Sequence, residues 1–250
     1  MSRVAAARWA IVLAGFATVE LCCRTGVIGR LTMIPPSAMI VSALHLLTAP
    51  AIQSDLLFTI TNAAAAIVIA VIAGFVAGVI IHALPRFRRI VDPLLAAYYA
   101  VPTFIFYPML VAILGLNRAP LIAIGAVLGV VAMTVNTLAG LDRIPRVYVK
   151  TAAALRMPRV ATALLVQLPA ATPHLVTGVK LAVSYSIVGT IAGEFILSVA
   201  GLGRAMSLAY NNLDNATMYG LLLILIVTVT AINLAIYEWE RAVHRRWGLR

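Results

Sequence analysis

A chain of 250 residues in which 63% of side chains are hydrophobic and only 11% charged has too few polar groups to cover a water-facing surface. Its mean hydropathy of +1.03 excludes a disordered chain and a soluble enzyme. The net charge of +11 does not make it a nucleic-acid binder, because the basic residues are dispersed between apolar runs rather than gathered on one wetted face.

A bilayer core about 30 Å thick asks for about 20 apolar helical residues. The first such stretch, 9–23, is the weakest of six, since it carries Glu20 and ends at Arg24. Arg3 and Arg8 ahead of it imitate a signal peptide, but no small-x-small cleavage site follows, so it is read as a retained anchor. Adjacent Cys22 and Cys23 match no metal site or disulfide framework and are read as packing residues. In the connector 24–55, Pro35-Pro36 precedes Ile40, Ala43, Leu44 and Leu47 at helical spacing, which predicts a short helix in the membrane surface with His45 on its polar side. Five stronger spans follow at 56–81, 94–114, 121–141, 176–197 and 218–236, and none alternates strictly as a transmembrane β-strand would. Pro102 and Pro108 interrupt the third span, predicting kinks where the freed backbone groups face protein or a water-filled path. The GxxxG pairs Gly74/Gly78, Gly125/Gly129 and Gly189/Gly193 predict close helix packing.

Lysine and arginine in the loops set the orientation. With both termini in the cytoplasm, the outside receives only Arg24, Arg30, Arg118 and Arg204 of the 19 basic residues. The positive charge is then a topology signal with attraction to anionic lipid heads.

The longest inside loop is 142–175. Asp142-Arg143-Ile144-Pro145 leads into a helix-prone run at 146–155, in which Tyr148, Ala152 and Leu155 share a face. Met157-Pro158 interrupts it, since proline disfavours a helical residue before itself and suits the first turn of a new helix. A second helix is predicted at 159–168, closed by Pro169 and Pro173. The residues alone leave two readings open: a helix-turn-helix entering a partner's groove, or a basic amphipathic loop resting on lipid heads.

The run Lys150-Thr151-Ala152-Ala153-Ala154-Leu155-Arg156, thirteen residues before Pro169 in Leu168-Pro169, resembles the EAA loop of ABC-importer permeases. Pro35-Pro36-Ser37, Asp92-Pro93-Leu94-Leu95, Val101-Pro102-Thr103, Tyr107-Pro108, Gly115-Leu116, Asn136-Thr137, Gly193-Glu194-Phe195 and Gly201-Leu202-Gly203 are similar, in order and spacing, to the nitrate/sulfonate/taurine branch. The resemblance implies an all-α membrane protein with six transmembrane helices and the type I ABC-importer permease fold. It implies one permease domain over 1–250, with its core at about 56–238 and its ATPase-coupling loop at about 142–175. The coupling residues would be those seven together with Met157, Pro158, Leu168 and Pro169. It further implies a homodimer in the cell's inner membrane, two cytoplasmic ATPase subunits holding ATP and Mg, an extracytoplasmic binding protein, and rocking between inward- and outward-facing states. The solute implied is a small anion such as a sulfonate, taurine or nitrate, or a thiamine-precursor-like heterocycle.

Two residues depart from the family pattern. Lys150 stands where the family usually has Glu, which calls for a compensating partner surface or weakens coupling. Arg156 stands where it usually has Gly, and a non-Gly residue in a left-handed turn costs ~1–2 kcal/mol. Met157-Pro158 is expected to make that turn by another route.

The sequence has no P-loop, no H-E-x-x-H and no cluster of metal-ligand types, so no ATP hydrolysis, cofactor or metal is expected in this chain. Among the polar residues of the spans, Asn136, Ser184, Tyr185, Thr190 and Glu194 are candidates to line a translocation path. Glu194, three residues from the outer end of its span, is equally open to hydration or pairing with Arg204. An ion-coupled secondary transporter using Glu20 or Glu194 is the main rival, though neither an internal repeat nor a mid-membrane helix break is evident. An intramembrane enzyme lacks a nucleophile–base pair.

Overall fold

The structure, a computed structural model, describes residues 3–29, 32–98 and 100–246; Arg30 and Arg250 of the orientation reading lie outside them. The described residues contain helices and turns and no strand. Among the described residues, four helices are long and apolar enough to cross a membrane: Pro50–Ala83, Arg118–Asp142, Arg159–Ile196 and Asn215–Val243. The pair Pro85–Tyr98 and Thr103–Leu114 makes a fifth if counted as one broken span. The chain divides into two compact units, Met1–Thr59 with Glu194–Thr230 and Ile60–Gly193 with Ala231–Arg250.

The first unit contains α1 (Arg3–Arg24), α2 (Pro36–Leu47), the start of α3 (Pro50–Ala83), α10 (Leu202–Asn211) and the start of α11 (Asn215–Arg246). The predicted surface helix is α2, which opens with Pro36 in its first turn, where the missing N–H costs nothing. Glu20 of α1 satisfies that turn from outside. Its Oε2 accepts the Ser37 N–H at 3.0 Å, and its Oε1 accepts the Ser37 hydroxyl and Arg24 Nε, each at 2.6 Å. The Glu20 carboxylate is therefore engaged as a helix-terminus cap. Ala43, Leu202, Leu221 and Ile224 form the apolar core, with Leu46, Ile52 and Leu56 against it. Ile40, Leu44 and Leu47 of α2 stay exposed, as lipid-facing side chains do. Helix α10, which periodicity did not reveal, ends at Asn211 and is followed by a left-handed turn at Leu213 with φ 57°. Asp214 then starts α11 by accepting the Thr217 N–H at 3.1 Å, and hydrogen bonds from Thr217 hold its carboxyl below the usual carboxylate range.

The second unit holds the rest of α3, α4 (Pro85–Tyr98), a 3-10 turn (Thr103–Phe106), α5 (Tyr107–Leu114), α6 (Arg118–Asp142), α7 (Arg146–Ala154), α8 (Arg159–Thr162), a π-helical turn (Ala163–Gln167) and α9 (Leu168–Ile196) up to Gly193. All three GxxxG pairs sit at helix crossings. A Cβ on Gly74 would lie 2.6 Å from Met133 Cβ, one on Gly125 would lie 2.6 Å from Thr190 Oγ1, and one on Gly189 would lie 2.8 Å from Gly125 Cα. The α5–α6 corner is turned by Gly115 at φ 80° and capped by Asn117, whose side chain accepts the Ala119 N–H at 2.7 Å.

Two expectations are corrected here. Pro169 and Pro173 do not close the segment 142–175, because both lie in α9, which continues from α8 through the π-turn. Pro169 falls in the first turn of α9, directly after five residues of wider π-helix, so the carbonyls its ring would crowd are already displaced. Pro108 does not interrupt a helix either: it opens α5, and the break lies at Pro102, the residue capping the 3-10 turn.

Candidate functional site

Helix α7 runs from Arg146 to Ala154 and packs against the π-turn, so the segment doubles back on itself at Arg156. Ala152 is buried at 2% exposure, which a small side chain at a helix contact permits, while Lys150, Thr151, Ala153 and Ala154 are exposed. The turn is a Schellman motif: the Met157 N–H donates to Ala152 O and the Arg156 N–H to Ala153 O, both at 3.0 Å. Arg156 occupies its left-handed position with φ 55°. The turn is therefore the glycine turn, made with arginine, and not a different route through Met157-Pro158. Pro158, extended at φ −64° and ψ 152°, then launches α8. Around this turn Val147, Tyr148, Leu155, Val160, Leu164 and Leu165 are exposed, an apolar surface on a short projecting hairpin. Leu168 and Pro169 are half-buried at the root of α9.

Because Arg156 carries strain that glycine would not, Arg156→Gly is expected to stabilise the protein. The net gain is about 0.5–1 kcal/mol once the larger unfolded-chain entropy of glycine is set against the relieved backbone. Thermal unfolding in detergent checks this, and Leu213→Gly, at an exposed turn of the same geometry, is expected to move it equally.

Behind the hairpin, α6 ends at Asp142, which Arg88 of α4 grips with both terminal nitrogens at 2.7 and 2.6 Å. His82 Nδ1 of α3 lies 3.1 Å from the same carboxylate, and Arg88 Nε reaches Asp92 at 3.3 Å. Three helices of the second unit are thus tied together where the loop that carries α7 departs. These groups are about one-third exposed, so solvent screens them. A double-mutant cycle on Arg88→Ala and Asp142→Ala is expected to give a coupling energy of about 1 kcal/mol, falling in high salt.

The candidate path residues are dispersed. Asn136 donates to Ala132 O of its own helix at 2.8 Å and packs by its Cβ against Gly178. Ser184 donates to Lys180 O at 3.1 Å and faces Asn233 of α11. Thr190 is fully buried against Gly125. Tyr185 is 38% exposed and lines a cavity with Tyr98, Pro102 and Thr103 at the break in the third span. The interruption expected at Pro102 is where the span breaks.

Glu194, in the first unit, is 1% exposed and does not pair with Arg204. Its Oε2 accepts the Thr59 hydroxyl at 2.7 Å and the Gly203 N–H at 3.1 Å, while Oε1 has no hydrogen-bond partner. The two preceding amides of this turn are held from α3: the Gly201 N–H donates to Asp55 at 2.8 Å and the Leu202 N–H to Thr59 Oγ1 at 2.9 Å. Three consecutive N–H groups at the start of α10 thus meet two carboxylates and a hydroxyl, the arrangement that helix N-termini favour.

Known proteins resemble this chain in sequence and fold. The family model for the binding-protein-dependent transport system inner membrane component matches residues 66–248. A Haemophilus influenzae protein named "Probable ABC transporter permease protein" is 30% identical over 68% of this chain and 70% of its own length. The nitrate import permease protein NrtB of Leptolyngbya laminosa is 28% identical over 59% of this chain and 53% of that relative. The taurine transport system permease protein TauC of Escherichia coli is 26% identical over 68% and 64%. The matched stretches thus span from about half to about seven-tenths of these relatives. In fold, a chain of the MetNI methionine ABC transporter in an inward-facing conformation gives a TM-score of 0.64 at 20% identity, covering 77% of this chain and 96% of that one. With its apolar helices, its helical fold and a family match over most of its length, the chain belongs to the binding-protein-dependent transport system inner membrane components, as a multi-pass ABC transporter permease.

Proposed function

We propose that this permease forms the solute path of an ATP-driven importer and takes its driving force through the hairpin at α7 and α8. The observation that carries this reading is the Schellman turn at Arg156 with its exposed apolar side chains, at the position of the EAA-like run. A rigid, short, apolar projection on a basic loop is what a groove in a soluble partner can grip. In this reading residues 1–250 act as one permease domain with six spans, α1 and the broken Pro85–Leu114 segment included. Both termini are cytoplasmic, and the chain works as a homodimer. Two cytoplasmic ATPase subunits holding ATP and Mg dock on residues 150–158, and an extracytoplasmic binding protein delivers the solute. Closure of the ATPase pair moves the hairpins and shifts the permease between two packings.

The solute belongs to one of two classes. Relatives named for nitrate, taurine and bicarbonate support a small anion, and a relative named for riboflavin, 25% identical over 62% of this chain, supports a heterocycle. Tyr185 lines the path, while Thr190 packs helices and Glu194 holds α10.

Ala153→Glu tests the coupling site. Ala153 is exposed on α7, so the variant is expected to insert and fold as the wild type does while losing co-purification with the ATPase subunits. Retained association at wild-type level sinks the assignment of the loop.

A further inference from the structure

The break in the third span lies at membrane depth. Its cavity, about 230 Å³, is bounded by Tyr98, Val101, Pro102, Thr103, Leu128 and Tyr185, all in the second unit. Leu128 is ten residues from the start of α6 and fourteen from its end, which at about 1.5 Å per residue puts it roughly 15 and 21 Å from the two helix termini. Tyr185 is eleven residues before the end of α9, a similar depth. Irregular backbone is tolerated at that depth where it is enclosed by protein or lines a cavity, and discontinuous helices mark binding sites because they offer backbone groups to a solute. Here Pro102 supplies no donor, the Val101 carbonyl accepts the Thr103 hydroxyl at 3.3 Å, and the Tyr98 hydroxyl donates to Val127 O at 3.1 Å, fixing its ring.

The lining has two phenol rings, a third ring from Phe104 and hydroxyl and carbonyl groups, but no charged side chain. Away from helix ends, the basic residues among the described residues of the four long apolar helices are His174 and Lys180; neither lines this cavity, and Lys180 is committed to Glu240 at 3.0 Å. An anion halted here would have given up its water for a site without a countercharge. A flat, uncharged ring meets faces on which it stacks and edge groups with which it hydrogen-bonds.

We propose that this cavity holds the solute in transit and that the solute presents a planar, uncharged aromatic or heterocyclic ring, not a small inorganic or sulfonate anion. This rests on the path reading above and selects between its two solute classes.

The test uses the full-length permease in lipid nanodiscs, carrying Cys22→Ser, Cys23→Ser and Tyr185→Cys, and follows the rate of modification by a charged, water-soluble thiol reagent. Modification is expected, because residue 185 faces the cavity. An aminopyrimidine or indole is expected to slow it by at least about fivefold, while nitrate, bicarbonate and ethanesulfonate leave it within about twofold. Adding Tyr98→Ala is expected to remove the protection, and Tyr98→Phe to keep it. A thiol that the reagent never reaches overturns the path reading itself. A thiol that is reached but protected by the anions, or by neither class, leaves the path standing and overturns the solute proposal.

Discussion

Gly201→Ala is expected to destabilise the protein by about 3–5 kcal/mol and to abolish accumulation of folded protein in the membrane. Two costs add at this residue. Its backbone sits at φ 108° and ψ 162°, a region essentially reserved for glycine, and forcing a side chain there costs about 1–3 kcal/mol. A Cβ would also lie 2.5 Å from Glu194 Oε2 and 2.7 Å from Oε1. The carboxylate cannot swing away freely, because Oε2 is held by Thr59 and Gly203 in the interior of the first unit. Displacing it would strand the hydroxyl and the amide as buried unpaired groups. Gly26→Ala separates the two costs, since Gly26 has φ 79° but nothing within 4 Å of a Cβ, so it is expected to lose only about 1–2 kcal/mol. Combining Gly201→Ala with Glu194→Ala is expected to recover the clash but not the strain. If the two glycine variants unfold alike, the description of Glu194 as the holder of α10 is wrong.

How far the sequence was readable depended on how local each cause is. Length and hydropathy sufficed for the long helices, because a span needs only a run of apolar residues and burial in lipid does the rest. The short helix α2 was legible as a helix through Pro35-Pro36 and the spacing of Ile40, Ala43 and Leu44. The turn at Arg156 was legible in position but not in geometry, since sequence could not tell that tertiary packing of α7 on the π-turn would hold an arginine at positive φ. Pro169 and Pro173 misled for the same reason: a π-turn upstream admits prolines that propensity treats as stops. The acidic residues were hardest. Glu20 and Glu194 invite a functional reading in any membrane span, yet their partners are amides and hydroxyls on Ser37, Thr59 and Gly203. Only the three-dimensional fold brings those groups to them. Of the site, the coupling loop is a contiguous run and could be read; the cavity at Pro102 joins residues 98 to 185 and could not.

Gly129→Val is expected to cost about 3 kcal/mol or more, the upper end for overpacking a close-packed interior. Gly129 lies where α6 meets both α3 and α9. A Cβ there would lie 2.7 Å from Ala70 Cβ and 2.9 Å from Ala182 O, with the Ser186 hydroxyl closer still. The serine can rotate, but an alanine methyl and a backbone carbonyl cannot, so helices must part. Parting is costly here because lipid offers no hydrophobic drive to reseal the contact, and dispersion between close backbones is what holds it. Ser186 Oγ has no partner within this contact, so its loss of space is not compensated by a lost hydrogen bond. The graded series decides the mechanism. Gly129→Ala is expected to cost less than valine, Ala70→Gly to cost little alone, and Ala70→Gly with Gly129→Ala to recover part of the loss. That recovery, read as a positive coupling in detergent unfolding midpoints, is what a steric contact between α3 and α6 requires. Strict additivity of the two substitutions would mean that the helices do not meet at these residues.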